Sequence, residues 1–188
     1  MALFLNNTAT VNNKACNEPI TFFQFNTKYI EKEYELTELI EHLVAGQYHL
    51  ITLQGVSQRS RQQIIEKLSP YYPHFIRGES RQQHAYSDQL LFSRYAFSHI
   101  KYYKSDGSSF LISSQWQLPF SEINLLTLHP PSPRNEKLWQ TRNQTLYQLK
   151  YALKDSPTKN VLVIGDLNIS KNSENFTWMK EKILVIQK

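Results

Sequence analysis

Cysteine and long apolar runs are scarce in this chain of 188 residues. The single cysteine, Cys16, excludes an intrachain disulfide and any zinc site built from several cysteines, so the redox compartment stays open. No apolar run approaches the roughly 18 residues of a membrane helix. Residues 1–5 are too short for a secretory apolar core and lack a basic start. The sequence as written therefore predicts no export signal and no membrane anchor, with a cytoplasmic location by default.

The composition that is present favours one packed domain. Hydrophobic residues make up 40% of the chain and aromatic residues 13%, which is enough for a core rich in tyrosine and phenylalanine. The net charge of +5 fits a polyanionic partner, but surface lysine and arginine explain that charge equally well. No basic run is long enough to act as a nucleic-acid-binding arm. Composition alone thus leaves the partner open.

The apolar pattern along the chain predicts a layered α/β domain. Residues 1–19 are rich in asparagine and threonine and predict a flexible N-terminal arm, which leaves 20–188 as the domain. Apolar residues recur at helical spacing in three segments: 33–45, 59–68 and 139–153. Short apolar runs between them predict strands, and residues 176–187 predict a final helix, alone or with a short strand. This order indicates a β-sandwich flanked by helices.

Polar side chains follow three of the predicted strands. The run VLVIGDLN at 161–168 predicts a buried strand that ends in glycine, with Asp166 and Asn168 beyond it on one side of the chain. A carboxylate there can bind a hard cation or orient a water, and the amide can hydrogen-bond a phosphoryl oxygen. Asn26 and His129 follow two other strands, and the three strand ends can converge on one site. A Gly-Asp turn, a turn asparagine and a loop histidine are the alternatives.

Five short motifs follow one another along the chain. They read ITFFQFN (20–26), YHLITLQGV (48–56), QLLFSRYAF (89–97), LLTLHPPSP (125–133) and VLVIGDLN (161–168). Their order and spacing resemble the endonuclease/exonuclease/phosphatase superfamily, which has the DNase I-like fold. Arg142 and Gln144, after the fourth motif, fit the same pattern. The resemblance implies a layered β-sandwich flanked by helices, and a phosphoester hydrolase that depends on a divalent metal.

The resemblance also implies roles for single residues. Asn26 corresponds to a metal ligand, for Mg²⁺ or Mn²⁺. His129, Asp166 and Asn168 correspond to the catalytic residues that hold the phosphoryl group and position the attacking water. Arg142 corresponds to a substrate-binding residue, with a solvated helix arginine as the alternative. Nucleic acid, phospholipid headgroups and inositol phosphates all occur as substrates in the superfamily, so the substrate class stays open.

Two departures from the family pattern separate fold from activity. Gly55 stands in LQGV where the family has a metal-binding glutamate, so one anionic ligand of the metal is missing. His129 is the last histidine, and no Ser-Asp-His segment follows it, which predicts a C-terminally truncated domain with an unpaired sheet edge. Ser87 and Asp88 stand where the family pattern has glycine, and the resemblance predicts no role for them.

The sequence is therefore compatible with three functions. The first is a phosphoesterase of the nuclease and phosphodiesterase type, its metal site completed by other ligands or by a second chain. The second is a pseudoenzyme that has lost its metal and keeps the groove as a binding module. The third is a truncated remnant of the family. The unpaired sheet edge also predicts that the chain self-associates.

Overall fold

The computed structural model describes residues 20–170 and the backbone of residues 184–187. The arm predicted at 1–19 lies outside the described residues. In the described part the helices are α1 (Glu33–Ala45), α2 (Gln58–Leu68) and α3 (Glu136–Lys154). The strands are β1 (Phe22–Asn26), β2 (Leu50–Gln54), β3 (His74–Ile76), β4 (Glu79–Ser80), β5 (Ala85–Tyr86), β6 (Leu90–Ser93), β7 (Phe97–Ser105), β8 (Ser108–Gln117), β9 (Glu122–Leu128), β10 (Val161–Gly165) and β11 (Leu184–Gln187).

The strands form two mixed sheets and one small ribbon. The first sheet has the order β1-β2-β6-β3, parallel between β1 and β2 and antiparallel at its other pairs. The second has the order β11-β10-β9-β8-β7, parallel across β11, β10 and β9 and antiparallel beyond. Strands β4 and β5 pair separately. Helices α1 and α3 connect the parallel pairs β1–β2 and β9–β10, because parallel neighbours need a crossover connection.

Helices cover the outer face of each sheet. Helices α1 and α2 pack on the first sheet because their apolar residues recur every three or four positions and form one buried face. That layer buries Leu36, Leu39, Leu43, Ile64 and Leu68 against Phe23, Ile51 and Leu53. Helix α3 covers the second sheet in the same way, with Leu146 and Leu149 packed on Leu126, Leu128 and Val163. The result is a helix–sheet–sheet–helix arrangement.

The two sheets face each other across an apolar core that becomes polar toward the strand ends. Trp116 of the second sheet is fully buried there and donates its indole N–H to the hydroxyl of Ser93 in the first, at 2.7 Å. Nearer the end of β1, Gln24 and Gln54 are also buried, and the Gln24 amide donates to Oε1 of Gln54 at 2.7 Å. This polar layer leads to Asn26, the last residue of β1.

The layered α/β architecture predicted from the sequence is confirmed, with local differences. Helix α3 begins three residues earlier than its apolar spacing predicts, because the Asn135 side chain accepts the Leu138 N–H at 2.9 Å and caps the helix. The polar segment 78–84 contains the short strand β4. Residues 184–187 form a strand, and the rest of the predicted final helix lies outside the described residues. No helix in the described part is long and apolar enough to cross a membrane.

Candidate active site

Strand ends from both sheets meet at one cleft. Asn26 ends β1, His129 follows β9 and Asp166 follows β10. Because β9 and β10 are parallel neighbours, their carboxyl ends lie side by side, and β1 brings Asn26 from the facing sheet. The cleft has a volume of about 570 Å³. Its described lining also includes Lys28, Tyr29, Arg134, Leu138 and Asn168.

Two N–H donors hold the Asp166 carboxylate in place. The side-chain amide of Asn26 donates to Oδ2 at 2.8 Å, and the backbone N–H of Asn168 donates to Oδ1 at 3.1 Å. Asn168 has a left-handed backbone with φ of 50°, and its side-chain amide donates to the Pro130 carbonyl at 2.9 Å. The carboxylate is therefore fixed in orientation, and the Asn26–Asp166 bond joins the two sheets.

His129 is oriented by a carboxylate and a tyrosine. A carboxylate only accepts hydrogen bonds, so Nδ1–H of His129 donates to Asp88, whose two oxygens lie 2.9 and 3.0 Å away. The Tyr29 hydroxyl donates to the same carboxylate at 2.7 Å. Burial, and then the hydrogen bond to Asp88, raise the pKa of Tyr29 above its ordinary value of 10.0, so the tyrosine remains a donor. Nε2 of His129 therefore faces the cleft, 3.4 Å from the Asn26 amide nitrogen.

Two glycines shape this end of the sheets. Gly165 has a φ of 146°, and a Cβ there would lie 2.0 Å from the carbonyl oxygen of Leu128, so only glycine fits between β10 and β9. Gly55 has a φ of 62°, and a Cβ there would lie 2.7 Å from Oδ1 of Asn26. A side chain at position 55 would therefore point into the cleft, as the resemblance implies for the family's glutamate.

The described residues offer few ligands for magnesium. Within residues 20–170 and 184–187, no group of three or more His, Cys, Asp or Glu side chains is arranged to hold a metal ion. Oδ1 of Asn26 accepts the Lys28 N–H at 2.9 Å, and Asp166 is the one carboxylate in the described lining. Gln54, beside Gly55, is buried and bonded to Gln24. Magnesium usually keeps several waters and binds one or two carboxylates. The described lining supplies one, Asp166, and that carboxylate already accepts two N–H donors.

The residues predicted for the site fall into two groups. The structure brings together Asn26, His129, Asp166 and Asn168. Arg142 instead lies beside the cleft, outside its described lining, and its guanidinium donates to the Asn168 carbonyl at 3.2 Å. Burial lowers the pKa of Arg142 from its ordinary value. Arg142 thus supports the loop that carries Asn168, and substrate binding by it stays a prediction.

Sequence reasoning missed two residues of the cleft lining and a third that lies directly behind it. No role is predicted for Asp88 from the sequence, yet its carboxylate orients His129, which lies 41 residues later in the chain. Tyr29 and Lys28 lie in the β1–α1 connection, where nothing in the sequence distinguishes them from other loop residues. Their positions in the chain are the one signal that could have indicated these residues. Lys28 and Tyr29 come two and three residues after Asn26, and Asp88 precedes β6, the neighbour of β2.

Two mixed sheets between helices, with Asn, Asp and His side chains at their strand ends, define an α/β protein of the DNase I-like class. The chain belongs to the endonuclease/exonuclease/phosphatase family, whose model matches residues 23–186. The family predicted from the five sequence motifs is thereby confirmed. A comparison with curated protein sequences gave no significant match.

Solved structures share the fold at low sequence identity. Sphingomyelinase C from Streptomyces griseocarneus is 14% identical with a TM-score of 0.67, over 86% of this chain and 68% of that one. A beta toxin variant from Staphylococcus aureus with bound magnesium ions is 13% identical with a TM-score of 0.63, over 86% of this chain and 69% of that one. TDP2 from D. rerio, complexed with a single-strand DNA product, is 18% identical with a TM-score of 0.63. The match to TDP2 covers 80% of this chain and 61% of that protein.

Proposed function

We propose that the chain is a phosphoester hydrolase with its active site in this cleft. The observation that carries the proposal is the convergence of Asn26, His129 and Asp166 from three strands of two sheets. A hydrogen bond to another residue holds each of these side chains in place, so the cleft is organised before a ligand binds. Family membership supports the same reaction class. Fold alone would not, because one fold carries many functions.

The geometry supports an in-line attack of water on phosphorus. Asp166, fixed by two N–H donors, orients the attacking water and takes its proton as the new P–O bond forms. His129, whose ring Asp88 orients, presents Nε2 toward the cleft; with Nε2 protonated, it donates that proton to the leaving oxygen as the old P–O bond breaks. Asn168 contacts the phosphoryl group only by releasing the Pro130 carbonyl, so in the present geometry it positions Asp166.

A divalent metal at this site is expected from the family and is not required by the described residues. The family resemblance implies Mg²⁺ or Mn²⁺, and one structure of similar fold contains bound magnesium. The described residues of this chain lack the family's glutamate and commit the Asn26 oxygen to a backbone N–H. No catalytic step is therefore assigned to a metal.

The cleft suits phosphoesters as a class. Structures of similar fold include a sphingomyelinase and a protein bound to a single-strand DNA product. These two classes, and the inositol phosphates that the family resemblance implies, are the substrates to compare. The cleft's described cations, Lys28 and Arg134, suit a phosphate from any of them.

The test is hydrolysis of bis-p-nitrophenyl phosphate and of plasmid DNA, with Mg²⁺, with Mn²⁺ and with a chelator. We expect Asp166→Asn to abolish turnover, because the amide cannot take the water's proton. Asp155→Asn, at the end of α3 and outside the cleft lining, makes the same chemical change and should leave turnover intact. Turnover that survives in Asp166→Asn would exclude this site as the source of activity.

Gly55 favours a second candidate, a binding module without turnover. A glycine in place of a glutamate removes an anionic ligand while leaving the cleft open. If the chain is a binding module, a phosphoester binds, but the folded protein cleaves neither bis-p-nitrophenyl phosphate nor plasmid DNA, with or without Mg²⁺ or Mn²⁺. Calorimetric binding of a non-hydrolysed phosphate, together with no turnover, would distinguish it from the hydrolase.

Self-association through an open sheet edge remains a prediction. Among the described strands, β7 forms one edge of the five-stranded sheet. Its pairing with β8 shifts register at two places, and it carries Lys101 and Lys104, features that discourage strand addition. Sedimentation velocity at micromolar concentration tests the prediction, and a single monomeric species would contradict it.

A further inference from the structure

The β1–α1 loop closes over the position of the missing glutamate. The carbonyl of Gly55 accepts the Thr27 hydroxyl at 2.5 Å and the Tyr29 N–H at 2.7 Å. The backbone nitrogen of Lys28 lies 3.3 Å from where a Cβ of residue 55 would stand, and its Cα lies 3.6 Å away. The backbone of Lys28 therefore borders the position that the Cβ of a glutamate at residue 55 would occupy.

The loop holds Lys28 in a conformation that ordinary residues rarely adopt. Lys28 and Tyr29 have φ values of 50° and 58°, both in the left-handed region. The contacts with Gly55 and the bond from the Lys28 N–H to Oδ1 of Asn26 stabilise this pair of residues. Left-handed non-glycine residues cost free energy and persist where the surrounding contacts determine them. The loop is therefore fixed at the cleft, with Lys28 in the lining.

The charge balance of the cleft favours an anion. Its described lining contains the cations Lys28 and Arg134 and a single carboxylate, Asp166, which already accepts two N–H donors. A second carboxylate, Asp88, lies behind the lining and is bonded to His129 and Tyr29. A divalent cation would lack the glutamate that the resemblance implies at position 55, and would share the lining with Lys28. A phosphate would instead meet an ammonium with three donors and a guanidinium with a planar donor fork, which are the usual phosphate-binding groups of proteins.

We propose that the cleft binds the phosphate group of its substrate directly through Lys28 and Arg134, with no divalent cation between protein and phosphate. This inference rests on the proposed function, in that the cleft must be the phosphoester site. It goes further by assigning to Lys28 the neutralisation of phosphate charge that a metal ion would otherwise supply.

The experiment is calorimetric titration of the full chain with inorganic phosphate, after chelator treatment and again with Mg²⁺ added. We expect binding in chelator, changed less than about twofold by Mg²⁺. Lys28→Gln and Arg134→Gln should each weaken binding by about tenfold or more, because each removes a charged hydrogen-bond donor. Lys28→Arg keeps the charge and should retain most of the affinity.

Lys67→Gln is the matched control, since it lies on α2 beside a different surface groove and makes the same change in net charge. Binding that requires Mg²⁺ would overturn the inference while leaving the hydrolase proposal intact. Equal effects of Lys28→Gln and Lys67→Gln would also overturn it, because they would reduce the result to net charge. No phosphate binding under either condition would remove both this inference and the proposed site.

Discussion

Alanine at position 55 is expected to destabilise the domain more than alanine at another left-handed glycine. Gly55 and Gly107 have similar φ values of 62° and 80°. A left-handed non-glycine residue costs about 1–2 kcal/mol, and both variants bear that cost. A Cβ at Gly107 meets nothing within 4 Å, whereas one at Gly55 lies 2.7 Å from Oδ1 of Asn26. Gly107→Ala therefore isolates the backbone effect.

The difference between the two variants measures the contact with Asn26. Moving the Asn26 carboxamide away breaks its 2.8 Å hydrogen bond to Asp166. A hydrogen bond to a charged group is worth about 1.5–3 kcal/mol. The free energy of unfolding should therefore fall by that much more in Gly55→Ala than in Gly107→Ala, which corresponds to a further drop in Tm of about 3–12 °C for a domain of this size.

Equilibrium unfolding in urea, monitored by tryptophan fluorescence, measures both free energies. In an Asn26→Ala background the extra effect of Gly55→Ala should largely disappear, because the displaced carboxamide is gone. Equal losses of stability in Gly55→Ala and Gly107→Ala would refute the placement of residue 55 against Asn26. That result would also contradict the inference that a side chain at position 55 points into the cleft.

Three further predictions concern the groups around the cleft and the core. Tyr29→Phe removes a 2.7 Å donor to Asp88 and should lower kcat/KM up to about tenfold, with the fold intact by circular dichroism. Arg142→Met should lower the free energy of unfolding by about 1 kcal/mol and reduce kcat, because its partner is the Asn168 carbonyl; a rise in KM alone would instead indicate substrate binding. Burial raises the pKa of Tyr102 to about 12 from an ordinary value of 10.0, so its stabilising effect is complete below pH 10.0 and is lost as the pH rises toward 12. Unfolding free energies measured across that range should decline less steeply in Tyr102→Phe, and parallel curves would count against the raised pKa.

Position 55 also tests the metal question directly. Gly55→Glu should raise Mg²⁺ affinity in calorimetry above that of both the parent chain and Gly55→Gln, since only glutamate supplies an anionic oxygen. Both substitutions carry the same backbone strain, so stability differences do not confuse the comparison. Unchanged Mg²⁺ affinity in Gly55→Glu would contradict the correspondence of this position with the family's metal-binding glutamate.

The fold was predictable because its signals are repetitive. Strand β2 and helices α1 and α2 have apolar residues at regular spacing, and that spacing selects the buried face regardless of distant contacts. The start of α3 was harder to predict, because its first turn is polar and depends on the Asn135 cap. A cap is a single-residue signal, and asparagine is equally common in turns.

The site was predictable only where residues follow strands directly. Asn26, His129 and Asp166 each stand at a strand end, so the topology alone brings them to one edge. Asp88 depends instead on how the loop before β6 approaches β9, which no local pattern encodes. The role of Lys28 arises from a left-handed loop that Gly55 makes room for, and that conformation is a property of the packed structure.

The hydrogen bond between Asn26 and Asp166 spans the junction of the two sheets, and this placement couples ligand binding to folding. The cleft exists only while the sheets are docked, so a phosphate bound across it stabilises the folded state of the whole domain. At a ligand concentration of one hundred times Kd that stabilisation amounts to about 2.7 kcal/mol. The Tm of this domain is therefore itself a binding assay, one that ranks nucleotide, lipid and inositol phosphates without requiring any of them to be cleaved.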